Sequence, residues 1–393
     1  MRYRNLGRTG LSVSEVGFGA WAIGGKWWGP QDDQDSRLAL HEALDRGCNF
    51  IDTAWVYGDG HSEKLIGRVL KERNQPAIVA TKVPPKNWNW DNRPGTPLSA
   101  AFPPDWVEQK LDESLRHLGR DTVEVLQLHT WNREWNAQAG PLLDRIARLK
   151  RSGKIRAFGI SLRDRGADEA NDLVRRRMVD SLQVFFNLFY QEPIKGLFTL
   201  AGDYGVGLVA RVPLAFGALS GRFTKATRFL GDDHRRRLYE GARLEETLHK
   251  VKALEFLKRK DRDLAESAIQ WTLAFPQVST SIPGIRNPRQ ARMNLRAGDG
   301  VRLTPAEVAK TRKLYPVNFG QPIRKLEAGE QAPAVFVSGV REIPAGPVPQ
   351  ARPKAVKPKR GKAAPKKKSR TARKKPVRPV RKAQKKAKKR GKR

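Results

Sequence analysis

Eight short apolar runs, spaced by helix-length amphipathic stretches, constrain this chain more than any other feature. The runs are Val16–Ala20, Asn49–Thr53, Ala77–Lys82, Val123–His129, Ile155–Ser161, Ser181–Phe186, Val206–Val212 and Val278–Pro283. Most are nearly continuous rather than alternating, as parallel strands covered on both faces are. Between them lie helix candidates at Ser36–Asp45, Glu63–Lys71, Asp105–Leu118, Pro141–Arg151, Gly166–Arg177 and Lys195–Tyr204. Eight strand–helix units in roughly 300 residues predict an α/β fold of the (β/α)8 TIM-barrel type. A doubly wound sheet is the rival, but no G-x-G-x-x-G follows the first run. Arg2–Val13, with Gly7 and Thr9-Gly10 at a turn, predicts a β-hairpin ahead of the barrel. The interval before the last run holds the charged stretch Arg228–Arg243, expected as a flexible excursion near the barrel mouth.

The pattern fades after Phe319. The expected division is a barrel over 1–319, a Pro/Gly/Ala-rich linker over 320–350 and a Lys/Arg/Pro/Ala tail over 351–393. The tail holds 23 basic residues and no acidic one, against 77 basic and 40 acidic in the whole chain. The net charge of +37 therefore mixes two objects, of which residues 1–350 carry +14. Such a tail buries too little apolar area to offset its ordering entropy, so disorder is expected. Its clusters Lys366-Lys367-Lys368, Arg373-Lys374-Lys375, Lys385-Lys386 and Lys388-Lys389-Arg390 resemble linker-histone-like tails in composition. Many cations without aromatic residues predict nonspecific association with nucleic acid or another polyanion, without base stacking. The plainer alternative is a spacer with no partner.

A single cysteine, Cys48, excludes a disulfide scaffold and a Cys-built zinc site, and no metal site is expected. Cys48 is read as a small core hydrophobe. No stretch approaches the length of a membrane span, and the N-terminus lacks the apolar core of a secretory signal. A cytoplasmic location is expected, with nucleoid association through the tail.

In a barrel of this type, polar residues at the C-terminal strand ends carry the chemistry. The second run ends near Asp52, the third at Lys82 and the fourth at His129, and Tyr57 lies five residues past Asp52. Asp52 and Lys82 can form a buried ion pair. A lysine ammonium beside a phenol lowers the tyrosine pKa from about 10, which suits Tyr57 as a general acid. His129 can donate a hydrogen bond to a substrate carbonyl. The set fits protonation of an oxyanion formed when a carbonyl accepts a hydride, and a hydride requires a cofactor.

These residues resemble the aldo-keto reductase family from about Tyr3 to about Leu314. Phe50-Ile51-Asp52-Thr53-Ala54-Trp55-Val56-Tyr57-Gly58, then Ser62-Glu63-Lys64-Leu65-Ile66-Gly67, is similar to its signature segment. Ala80-Thr81-Lys82-Val83 resembles its lysine strand, and Gln127-Leu128-His129 the end of its histidine segment. Gly153-Lys154-Ile155-Arg156-Ala157-Phe158-Gly159-Ile160-Ser161 matches a further stretch. The resemblance implies NADP(H) bound without a Rossmann fold and transfer of the pro-R hydride. It implies Tyr57 as proton donor, Lys82 and Asp52 as its tuners and His129 as carbonyl orienter. It places Ser161 and Gln183 at the nicotinamide carboxamide, with Leu162 where an Asn is usual. Arg211 stands where the family stacks an aromatic ring, and its guanidinium plane can also stack. Leu214, Gly217, Leu219 and Gly221 match the pyrophosphate loop. Gly284, Arg286, Gln290 and Asn294 match the adenosine end, with Met293 where a Glu is usual. Arg286 is expected to pair with a 2′-phosphate, favouring NADP.

Each residue also has a plainer reading: a loop aspartate, a strand-edge lysine, a satisfied core histidine. Their order and spacing favour the catalytic set. Trp55, Trp88, Trp90 and Trp131 are expected to wall the mouth for an apolar or aromatic substrate. His234 is expected to be solvated. The expected activity is NADPH-dependent reduction of an aldehyde or ketone. The rival is a module that senses NADP(H) with little turnover and is docked by its tail.

Overall fold

The computed structural model describes residues 1–25, 27–90, 95–164, 166–300 and 303–321. The basic tail, and the linker beyond Gln321, lie outside the described residues. The chain opens with an antiparallel hairpin of β1 (Tyr3–Asn5) and β2 (Ser12–Ser14), as the turn signals predict. Gly7 makes the turn at φ +52°, and a Cβ there would stand 2.3 Å from the Gly207 backbone nitrogen. The hairpin therefore docks tightly, with Arg8 N donating to Gly205 O at 2.7 Å.

Eight parallel strands follow: β3 (Phe18–Gly19), β4 (Phe50–Asp52), β5 (Ile78–Val83), β6 (Val123–Leu128), β7 (Ile155–Ser161), β8 (Ser181–Phe185), β9 (Gly207–Arg211) and β10 (Val278–Ile282). They pair in chain order, so each predicted run supplies one stave. Parallel bridges Val16↔Ser281 and Gly19↔Gly284 close the circle between β3 and β10. A Cβ at Gly19 would stand 2.8 Å from Pro283 O, so closure at this seam requires glycine. Leu6, Leu11 and Val13 of the hairpin pack with Phe50, Ala80, Val125, Ala157, Val209 and Ile282. The hairpin thus plugs the end opposite the strand C-termini.

The helices are α1 (Asp33–Asp45), α2 (His61–Arg73), α3 (Leu98–Ala101), α4 (Pro104–Leu118), α5 (Gly140–Arg151), α6 (Asn171–Arg175), α7 (Leu197–Tyr204), α8 (Arg235–Leu238), α9 (Ala242–Ala253), α10 (Leu264–Leu273), α11 (Pro288–Leu295) and α12 (Pro305–Leu314). Their ends carry local signals. Asp32, Asp263 and Asn287 cap α1, α10 and α11 with their side chains, and Gly119 ends α4 in the left-handed region. The larger core lies between strands and helices. No helix among the described residues is long and apolar enough to cross a membrane.

One helix expectation is corrected. Of Gly166–Arg177, only Asn171–Arg175 is α-helical. Turn bonds Gly166 N to Arg163 O and Glu169 N to Gly166 O fold the start instead, and the Glu169 carboxylate is held by Arg163. Arg228–Arg243 contains α8, and Tyr239 Oη ties it to Ala215 O at 2.5 Å.

Candidate active site

β4, β5 and β6 are in register, so Asp52, Lys82 and Gln127 reach the same end of the barrel. Lys82 is fully buried. Its Nζ donates to Asp52 Oδ1 at 2.6 Å, Thr53 O at 2.7 Å and Tyr57 Oη at 3.3 Å. Asp52 Oδ2 accepts from Gln183 Nε2 at 2.6 Å and Gln127 Nε2 at 3.3 Å. The buried carboxylate and ammonium are thus paired and bonded on several sides, as burial demands. His129 follows β6, and its ring lies 5.8 Å from that of Tyr57, edge to face. Its Nδ1 is buried with no partner among the described residues.

Burial holds the His129 pKa well below its ordinary value, with the charges of Lys82 and Arg211 acting the same way. The imidazole is therefore neutral. Tyr57 corrects an expectation. Burial, then the Asp52 carboxylate, raises its pKa well above the ordinary phenol value, with Arg211 opposing. Lys82 does not reverse this, because Asp52 sits closer to it than the phenol does. The Lys82 pKa is lowered by burial, against Asp52.

A cleft of about 300 Å³ opens from Asp52, Tyr57 and His129 and runs to Arg286, Gln290 and Asn294. Ser161, Gln183, Arg211, Leu214, Gly217 and Gly284 line it between these ends, while Leu219 and Gly221 are not among its lining residues. Ser161 Oγ donates to Gln183 Oε1 at 3.5 Å. Arg211 is already paired: Nη2 donates to Leu162 O at 3.0 Å and to Asp164, and the guanidinium lies 5.2 Å from the Phe185 ring centre. Leu162 is buried and offers the cleft no amide. A Cβ at Gly284 would meet nothing within 4 Å, which leaves an open cradle beside its backbone. Val212, Ala215 and Phe216 have positive φ, backbone strain gathered in the loop after β9.

Arg286 is committed to the loop before α1. Nε donates to Gln31 Oε1 at 2.7 Å, Nη1 to Trp28 O at 3.1 Å, and Nη2 to Pro30 O. Gln290 Oε1 accepts from Arg286 N at 2.8 Å, and Asn294 Nδ2 donates to Gly284 O at 3.3 Å. The open cradle, the unpartnered His129 Nδ1 and the arginines along the cleft suit a long anionic cofactor with one planar polar end.

The tryptophans are redistributed. Trp131 is buried against Trp135, and Trp55 faces α4. Trp88 lies 6.3 Å from Trp55, and of the four rings only that of Trp90 packs on a ring of the Asp52, Tyr57, Lys82 and His129 set, 4.9 Å from His129. The cleft wall is instead Trp21, Trp28 and Phe216, with Trp21 stacked 6.2 Å from Tyr57. Rules for polar strand ends pass over these apolar residues, although Trp21 stands just past β3. Arg222 and Arg235 also line the cleft, and Arg222 Nη2 donates to Met293 Sδ at 3.1 Å. His234 is not solvated. It packs 4.9 Å from Trp21 and 4.6 Å from Trp28, with Nδ1 2.7 Å from Trp27 O. Cys48 is buried, and burial pushes its thiol up to about 11.

Comparison with known proteins places these residues in context. The profile of the aldo/keto reductase family matches residues 15–316. Aldo-keto reductase YhdN of Bacillus subtilis (strain 168) is 29% identical over 299 residues, 74% of this chain and 86% of the relative. Among solved structures, the holo form of aldo-keto reductase AKR11C1 from Bacillus halodurans superposes with a TM-score of 0.65 at 29% identity, covering 80% of this chain and 96% of that one. The glycerol dehydrogenase AKR11B4 from Gluconobacter oxydans gives 0.69 at 27%, covering 83% and 98%.

Proposed function

Since the chain belongs to the aldo/keto reductase family of nicotinamide-dependent oxidoreductases, we propose that it reduces an aldehyde or ketone to an alcohol with NADPH and that Tyr57 is the proton donor. The observation that carries this is the contact of Tyr57 Oη with the buried Lys82–Asp52 pair, in one cleft with His129. When bound, the reduced nicotinamide supplies the hydride. Neutral His129 donates an N–H to the carbonyl oxygen and holds it near Tyr57. The phenol, kept protonated by its high pKa, gives its proton to the alkoxide oxygen. Lys82 stabilises the phenolate left behind, and Asp52 holds Lys82 in place.

Ser161 and Gln183 would hold the carboxamide, and Arg211 the nicotinamide face. Leu214, Gly217, Leu219 and Gly221 would follow the pyrophosphate, and Gly284, Arg286, Gln290 and Asn294 the adenosine. Use of Arg286 for a 2′-phosphate requires it to leave Gln31, Trp28 or Pro30. The Trp21–Trp28–Phe216 wall supports a substrate with an apolar or aromatic body. The test is a panel of aldehydes and ketones with NADPH and with NADH. NADPH should be preferred, and Trp28→Ala should change the ranking of substrates. No turnover despite tight NADPH binding would favour the sensor.

A second reading rests on the tail's 23 cations and absent anions. We propose that 351–393 is a separate linker-histone-like segment, joined through 320–350, and that it associates with nucleic acid without base readout. That would place a cytoplasmic enzyme on the nucleoid.

A further inference from the structure

Helix α4 turns a polar stripe toward the barrel. Lys110, Glu113 and His117 recur at spacings of three and four residues, so they share one side of the helix. That side meets the loop over residues 53–60, which carries Tyr57. At one end, the Trp55 indole nitrogen donates to Glu113 Oε2 at 2.8 Å, and Lys110 Nζ donates to the same oxygen at 2.7 Å. The Lys110 ammonium also lies 3.8 Å from the centre of the Trp55 ring. At the other end, Gly60 lies directly on the His117 imidazole. A Cβ at Gly60 would stand 2.2 Å from the ring, and its φ of +88° already favours glycine. His117 Nδ1 donates to Glu63 Oε2 at 2.8 Å, and Thr81 Oγ1, next to Lys82, donates to Glu63 Oε1 at 2.6 Å. Glu63 is wholly buried.

Between these points the loop is bonded to β5 and to itself. Trp55 N donates to Lys82 O at 3.2 Å, and Gly60 N to Trp55 O at 2.7 Å. Tyr57 therefore sits on a short closed loop anchored two residues before it and three residues after. Its contact with Lys82, at 3.3 Å, is the longest of the three the ammonium makes. A displacement of about 0.3 Å would carry it past hydrogen-bond range. The reaction described above uses none of Trp55, Glu63, Glu113 or His117. A buried carboxylate is nevertheless costly unless bonded, so its place beside this loop has a specific consequence.

We propose that the Trp55–Glu113 and His117–Glu63 contacts form a positioning frame that fixes the Tyr57 hydroxyl against Lys82 and so sets the rate of proton transfer. The inference rests on Tyr57 as proton donor for its link to rate, but not for its link to position. It also gives Trp55 a task other than lining the substrate.

The experiment is fluorine NMR of the full chain labelled with fluorotyrosine. The Tyr57 signal, one of six, is assigned by its loss in Tyr57→Phe. In His117→Leu and in Trp55→Phe, which keeps an aromatic ring but removes the N–H, that signal should move and broaden. In the same variants kcat should fall roughly 10- to 100-fold with KM and NADPH Kd unchanged. His117→Asn keeps an N–H donor near the Nδ1 position and should restore both. A Tyr57 signal unmoved in both variants overturns the proposal, whether or not the enzyme turns over. A signal that moves while kcat of an active enzyme holds also overturns it. A wild type that consumes no NADPH overturns the reductase reading instead, and the fluorine signal then decides the frame alone.

Discussion

At the scale of single residues, burial sets the chemistry. Tyr57 and His129 line the same cleft, and burial of the two side chains pushes each toward its neutral form: the phenol stays protonated, the imidazole unprotonated. A neutral donor and a loaded acid are what carbonyl reduction needs at one oxygen. A raised Tyr57 pKa also has a definite sign in a pH profile. With Tyr57 as the proposed proton donor, protonated below its pKa, kcat for reduction should stay flat through about pH 10, where an unshifted phenol would be half ionised. A measured fall in kcat centred well below that pH would contradict the burial argument. The positions of Asp52, Lys82 and His129 were legible in the sequence because strand ends are legible, and that of Tyr57 because it lies on the short loop after one of them. The direction of the Tyr57 shift was not. It depends on Asp52 lying nearer than the phenol to Lys82, and on a desolvation that no local sequence reports. Trp21 and Trp28 were missed for a related reason: an apolar residue past a strand end looks like any core residue until the cleft is seen.

At the scale of elements, the strands were the most readable, since each continuous apolar run became one stave. Helix α6 was the least readable. The stretch from Gly166 has helix-like length, but the Arg163–Glu169 contact folds its start into turns. Arg228–Arg243 reads by its charge as solvated, yet Tyr239 donates to the Ala215 carbonyl and His234 packs on Trp21, partners that no local pattern reports. Helix α12 shows how local signals and distant charges combine. Thr304 and Glu307 form a capping box at its start, and Glu307 Oε1 also accepts from Arg259 and Arg262. Burial alone would raise the Glu307 pKa, but the Thr304 backbone and the two guanidinium groups outweigh it, bringing the group from 4.5 to about 2. Its folded pKa is depressed, so its contribution is present above about pH 4.5 and is lost as pH falls toward 2. Denaturant unfolding of Glu307→Gln should show a deficit of about 1–3 kcal/mol at neutral pH, closing near pH 2. A deficit that does not depend on pH would mean that packing, not charge, is what Glu307 provides.

At the scale of the whole molecule, the barrel separates stability from chemistry. The hairpin plug and the Gly19 seam close one end and one side, while the candidate site residues collect at the strand C-termini. The tail is a different object by composition, and its proposed partner can be tested without reference to the cleft. In a gel shift, the full chain should bind duplex DNA far better than residues 1–330 do, and the difference should shrink steeply with added salt. Equal binding by the two would dismiss the tail as the polyanion site. For the barrel, the decisive experiment is NADPH oxidation by the wild type and by Tyr57→Phe, with NADPH affinity of both read from fluorescence. Equal affinity is expected, with a loss of turnover of about a hundredfold or more in Tyr57→Phe, since that change removes the hydroxyl that would give the proton. Tyr57→Phe turning over at the wild-type rate would contradict it.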